Sequence, residues 1–238
     1  MARLNYSIFR FIPFHPRYLF WVIIIVAVIL MSLLTGGCTN NIPAIKSLFL
    51  VQLEYDTGIS NNTIAKAATL VLGESDLKIK VGFFGTCIVG NTTECSTDIN
   101  SLINSTAVQA AGFEDSLGML DLVHSYLPIY PQFIIISILL AFLSLPISYF
   151  WTHVATYFQC LAAMFAGLEV FVLHIEISSL SMIDEVSFGV LQAKGGFAAL
   201  VVQWFAFIGL LVVFAGNWLI MRMEQRIMRF GEKLGDAV

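Results

Sequence analysis

Hydrophobic and polar positions separate along this chain into long uncharged runs and one polar stretch between them. No Asp, Glu, Lys or Arg occurs between Arg17 and Lys46, and Tyr18 to Leu34 is almost entirely Ile, Val, Leu and aromatic. Between Asp121 and Glu169 lie 47 residues without a formal charge, about twice what one crossing of a hydrocarbon core of about 30 Å needs. The polar cluster from Ser148 to His153 divides that run in two. A last run, Gly195 to Met221, lies between Lys194 and Arg222 and contains the apolar stretch Phe197 to Ile220. The pattern predicts four membrane-spanning helices, over 18–35, 129–150, 154–175 and 196–221, the middle two forming a hairpin.

A cleaved signal peptide is the competing reading of the first run. Its length exceeds the usual core of about 7 to 15 apolar residues and no clean small-x-small exit follows, although Thr35-Gly36-Gly37-Cys38 has a partial likeness to a bacterial lipoprotein site. The span is therefore expected to be retained.

Basic residues set the orientation. Arg3, Arg10 and Arg17 precede the first span without an acid, and Arg222, Arg226, Arg229 and Lys233 follow the last. Segments 1–17 and 222–238 are expected in the cytosol, which an even number of crossings also requires. That leaves 36–128 as a large outer loop and 176–195 as a second, shorter one.

The large loop carries nine acids, among them Glu54, Glu94 and Asp121, against Lys46, Lys66, Lys78 and Lys80. Glycosylation acceptors of the Asn-x-Ser/Thr form stand at Asn61, Asn91 and Asn104 within it, where a secretory-pathway protein would be modified. A further match at Asn5 is expected to stay bare on the cytosolic side. Leu48 to Tyr55 and Leu77 to Val89 have the pattern of half-buried strands, which predicts a small antiparallel sheet. Apolar positions from Val108 to Leu122 fall at roughly helical spacing and predict a helix over 107–126 leading towards Pro128.

Composition narrows the class. The chain has 238 residues, 58% hydrophobic and 12% charged, about half the charge of an ordinary soluble domain. Its net charge of −4 offers no basic excess for nucleic acid. None of the four cysteines stands in a Cys-x-x-Cys spacing, so no zinc or dithiol site is expected. His-Glu-x-x-His, a phosphate-binding loop, an EF-hand calcium loop and a serine triad on one membrane face are all missing from the sequence. No metal, cofactor or enzymatic activity is expected.

The most specific string is Gly82-Phe83-Phe84-Gly85-Thr86-Cys87, with Cys95 seven residues later, placed on the second predicted strand. Two outer cysteines this close should be oxidised, since strand, turn and strand bring their Cα atoms within about 4.4 to 6.8 Å. Asn91 would ride the turn. The paired glycines indicate a bulge or close backbone approach beside two aromatic rings, which can lie against the membrane rim or the top of the bundle.

Four spans, a large first outer loop with this string, and Gly37-Cys38 just after the first span resemble the claudin-like fungal membrane proteins of the mating-induced calcium regulator and membrane-fusion family. The resemblance rests on Gly82, Phe83, Phe84, Gly85, Cys87 and Cys95 and, more loosely, on Gly37 and Cys38. It implies a multi-pass plasma-membrane protein acting in low-affinity calcium influx and membrane remodelling during mating or polarised growth. Animal claudins are a poorer match: Phe84 stands where their motif tryptophan would be, and Trp21, Trp151, Trp204 and Trp218 all lie in or beside the spans. Within this topology the chain would regulate a membrane-protein partner. It would alternatively serve as scaffold or auxiliary subunit of an ion channel or cell-wall synthase, or assemble with itself into a cation pore.

Polar residues inside the spans are the remaining candidates. Glu169 is the one formal charge placed within a span, and a carboxylate at depth normally faces protein or a cavity. Counted from the outer ends of their spans, Glu169 and Gln203 each lie six residues in, about 9 Å, so the two are expected to hydrogen-bond. Gln159 and Asn217 match in depth nearer the cytosol. Ala162, Ala166, Gly167, Ala206 and Gly209 permit the close approach such rungs need. Both rungs read as structural glue. The alternative for Glu169 is a cation-handling or docking carboxylate, with His174 and Glu176 at the outer mouth. Cys160 reads as a packing residue, and Cys38 as free or paired with another chain.

Overall fold

A computed structural model describes residues 16–39, 42, 47–55, 78–89, 93–97, 131–186 and 191–235. Helix α1, Pro16–Thr35, opens on a proline, whose missing N–H and preset φ suit the first helical position. It ends in a tight turn where the Gly36 amide donates to Ser32 O at 3.0 Å and the Gly37 amide to Leu34 O at 3.1 Å. Helices α2, Gln132–Phe150, and α3, Thr152–Val186, are separated by Trp151 alone. The break falls inside the polar cluster that divides the long uncharged run. Pro146 sits within α2, close enough to its end that little of the hydrogen-bond ladder is lost. Helix α4 covers Phe197–Gly235.

All four helices are long and apolar enough to cross a membrane, with mean hydropathies between 1.9 and 2.7 over their apolar stretches. Two run on past the expected ends: α3 continues from 175 to Val186 and α4 from 221 to Gly235. The spans were delimited by charge, but charge ends only the lipid-compatible stretch. Lys, Arg, Glu and Met are good helix formers, and no glycine or proline lies between 175 and the end of α3. The helices therefore leave the bilayer intact.

Each helix turns a seam of buried residues inward at spacings of three and four. Ile24, Ala27, Met31 and Leu34 form it on α1; Ile134, Ser137, Ala141 and Ser144 on α2; Ala199, Gln203, Ala206, Leu210 and Val213 on α4. Helix α3 contributes Ala155, Gln159, Ala162, Ala166, Val170 and Leu173. The small side chains bring backbones close, and Ser137 Oγ donates to Ala162 O at 2.9 Å. Large apolar residues such as Phe142, Phe171 and Phe205 point outward, the arrangement expected where lipid surrounds the bundle and packing holds it together.

On one end of the bundle sits a five-stranded antiparallel sheet in the order β4-β3-β2-β1-β5. The strands are β1 Val51–Tyr55, β2 Lys78–Val81, β3 Thr86–Val89, β4 Thr93–Ser96 and β5 Leu191–Gly195. The run Leu77 to Val89 is thus two strands and a turn where one strand was expected. Strand β5 comes from the short second loop and pairs with β1 from Val51↔Gly195 to Tyr55↔Leu191. Leu50, Val51, Leu53, Ile79, Val81, Phe83 and Ile88 belong to the same apolar core as the helix seams, so sheet and bundle share one interior. The helix expected over 107–126 and the acceptors Asn61, Asn91 and Asn104 lie outside the described residues.

Candidate functional site: the junction of sheet and bundle

The Gly82 to Cys87 string does not continue a strand. It makes the turn between β2 and β3, closed by the Gly82 amide donating to Gly85 O at 2.8 Å. The two glycines differ from their neighbours in what they touch. A Cβ on Gly82 would run into the Gly37 carbonyl, and one on Gly85 into the carbonyl of Cys38. The loop that leaves the first span is therefore pressed backbone to backbone against the tip of the outer hairpin. Phe83 and Phe84, adjacent in sequence, part here: Phe83 is 8% exposed and joins the core, whereas Phe84 is 44% exposed.

Cys38 lies at the centre of the contact. Its φ of 58° places it in the left-handed region, uncommon for a residue with a side chain. The residue is a free, buried cysteine, and burial pushes its thiol up to about 11, with the Lys80 ammonium opposing in part. A buried Cys38 is poorly placed to pair with another chain. Cys87 Sγ lies 3.7 Å from the Cys38 carbonyl oxygen. Cys87 and Cys95 face each other directly across β3 and β4 and are joined by a disulfide with Cα atoms 4.0 Å apart. That separation lies just below the expected range.

Glu54 on β1 ties the two outer loops together. Its carboxylate pairs with Lys78 of β2 and, at 2.6 Å, with Lys194 of β5. These two ammonium groups hold the Glu54 carboxyl below its usual range. Lys80 lies over the Phe49 ring at 4.8 Å. Sequence reasoning missed the Glu54 and Lys194 pair. Its signal was thin: an acid on an alternating strand, and a lysine just before the last span.

Within the bundle, Asn217 Nδ2 donates to Gln159 Oε1 at 2.7 Å. Glu169 and Gln203 behave differently. They are 2% and 0% exposed, and Glu169 Oε2 and both polar atoms of Gln203 have no hydrogen-bond partner among the described residues. The expected direct bond is not formed. Matching depth sets two residues at one level but not the rotation of each side chain about its helix, and rotation decides whether they meet. Glu176 follows Glu169 on the same face of α3, half-buried, whereas His174 points outward and is exposed. Cys160 is a free, half-buried cysteine on α3. No group of three or more His, Cys, Asp or Glu among the described residues is placed to hold a metal ion.

Four helices suited to a bilayer, capped by an antiparallel sheet that closes on the exit of the first span, define a multi-pass membrane protein. Residues 63–223, more than half of the chain, match the family of the Ca2+ regulator and membrane fusion protein Fig1, and the chain belongs to that family. The match takes in the hairpin, the disulfide, α2, α3 and most of α4. No curated protein gave a significant match.

Proposed function

We propose that this chain is a claudin-like protein of the fungal plasma membrane, with both termini cytosolic, that regulates low-affinity calcium influx and membrane remodelling during mating or polarised growth. It acts as a regulator, not as an enzyme and not as the conducting pore. The observation that supports regulation is the construction of the outer sheet: a disulfide-bonded hairpin seated on the exit of α1 and tied through Glu54 to both outer loops. Such a platform transmits a load on the sheet to the spans, which suits docking onto another membrane protein such as a channel or the wall-synthesis machinery.

Conduction makes a different demand. A cation filter needs several carboxylates or carbonyls around an aqueous route, and the described spans bury one carboxylate deep in the bundle, Glu169. A ring of Glu169 side chains in a self-assembled pore would meet that demand, and its unpartnered oxygen is the observation in favour. Purified protein in liposomes separates the readings. The regulator reading expects no calcium flux from folded protein alone. Flux that disappears in Glu169→Gln would overturn it.

A further inference from the structure

Helix α4 does not stop where its uncharged run ends. Past Met221 it continues to Gly235, and the sequence of that extension sets Arg222, Arg226, Arg229 and Lys233 at intervals of four, three and four. Met223, Ile227, Phe230 and Leu234 repeat the same intervals one position later. At about 100° per residue, the positions of each set fall within an arc of roughly 60°, and the two arcs stand about 100° apart. The extension thus carries a basic stripe with an apolar stripe beside it. Glu224 and Glu232 fall outside both arcs.

The bundle does not cover the apolar stripe. The buried seam of α4, which ends at Val213, runs on through positions 217, 220 and 224, roughly 100° away from it. All residues from Arg222 to Ile227 are exposed, so no side of this part of the helix is buried, and Met223 and Ile227 are 62% and 64% exposed. Lipid covers little of the stripe either. Position 223 lies about 39 Å along the axis from Phe197 and position 234 about 55 Å. The hydrocarbon is about 30 Å thick and the whole bilayer about 40 to 45 Å, so a helix tilted by about 20° still carries positions 230 and 234 past the headgroups.

The two stripes together select the partner. A second copy in the same membrane would lie parallel to the first, and a seam between their apolar stripes would set a flank of four bases against a flank whose one acid is Glu224. An apolar groove walled by carboxylates satisfies both stripes at once. Apolar anchors at helical spacing are what a groove reads in an amphipathic helix, and the basic form of such a helix suits calcium sensors, whose EF-hands open a Met-rich groove when calcium binds.

We propose that the extension of α4 is a docking helix for an acidic, calcium-loaded EF-hand sensor protein. This rests on the cytosolic placement of the termini proposed above and not on the route by which calcium enters.

Calmodulin is the probe, added to purified full-length protein in phosphatidylcholine nanodiscs, with binding read by biolayer interferometry in calcium and in chelator. Calcium should tighten binding by roughly tenfold or more, since the groove closes without it. Ile227→Ser should weaken the calcium-dependent binding by roughly tenfold. Arg226→Glu combined with Arg229→Glu should weaken it by a similar factor, and that loss should shrink as salt is raised. These positions are exposed, and the comparison of calcium with chelator on the unaltered protein needs no variant. Absence of binding at tens of micromolar calmodulin in calcium, or binding that neither substitution weakens, overturns the proposal. Calmodulin displaced by phosphatidylserine nanodiscs, or an Ile227→Ser-sensitive dimer that calmodulin leaves intact, assigns the stripe to lipid or to a second copy and overturns it as well. The assay involves no transport and no intact cell, so its failure is distinct from flux in the liposome experiment.

Discussion

Gly36, Gly37 and Cys38 occupy successive positions after the first span, yet they carry different constraints. A Cβ on Gly36 would sit in ordinary contact, 3.5 Å from Ser32 O. A Cβ on Gly85, across the junction, would strike the backbone of Cys38, which cannot yield as a flexible side chain would. Gly85→Ala should therefore lower stability by about 1 to 3 kcal/mol, the usual cost of overpacking, while Gly36→Ala stays close to wild type. Thermal unfolding of the purified protein in detergent compares them, and equal effects would sink the backbone contact. The cysteines divide in the same way. Their spacing made the pairing of Cys87 with Cys95 legible, because eight residues suffice for a hairpin. Nothing in the sequence placed Cys38 against that hairpin, since the contact joins positions 49 apart.

Among the elements, the uncharged runs disclosed all four helices, while the sheet was legible only in part. Strands β1 and β2 show alternation, but β5 reads Leu-Gln-Ala-Lys-Gly and becomes a strand because β1 offers it an edge. Glu54 lies between β2 and β5 and draws a lysine from each. Its folded-state pKa is the lowered one, so its stabilising effect is complete above the ordinary carboxylate range and is lost as pH falls through the folded value. Protection of the β1 and β5 amides, corrected for intrinsic exchange, should drop as pH is lowered from about 6 to about 3. The drop should be much smaller in Glu54→Gln. Hydrogen exchange measures both, and identical profiles would remove Glu54 from the pairing. In the spans, Gln159 and Asn217 make the rung their depth suggested, and a double-mutant cycle with leucine at each position should return a coupling of about 0.6 to 1.7 kcal/mol.

For the molecule as a whole, the positive residues at 3, 10 and 17 and again from 222 to 233 predict cytosolic termini, and the start of α1 lies beside Asn217 to Glu224 of α4. Tags at either terminus should be shielded from protease in intact cells, and a tag in the large loop should be cleaved; a terminal tag cut at the surface would end that topology. Hydropathy alone determined the number of spans, because the cost of charge in hydrocarbon depends on composition and length and hardly on fold. Local spacing determined the hairpin disulfide for a similar reason: its partners are close along the chain. Only the tertiary structure decided that Gly82 and Gly85 meet the exit of α1, that β5 joins the sheet, that Gln159 reaches Asn217 while Glu169 and Gln203 make no bond to each other, and that the four helices line an open cavity. Each of these depends on the relative position and rotation of elements far apart in sequence, and those are set by how small and large side chains interlock along the seams.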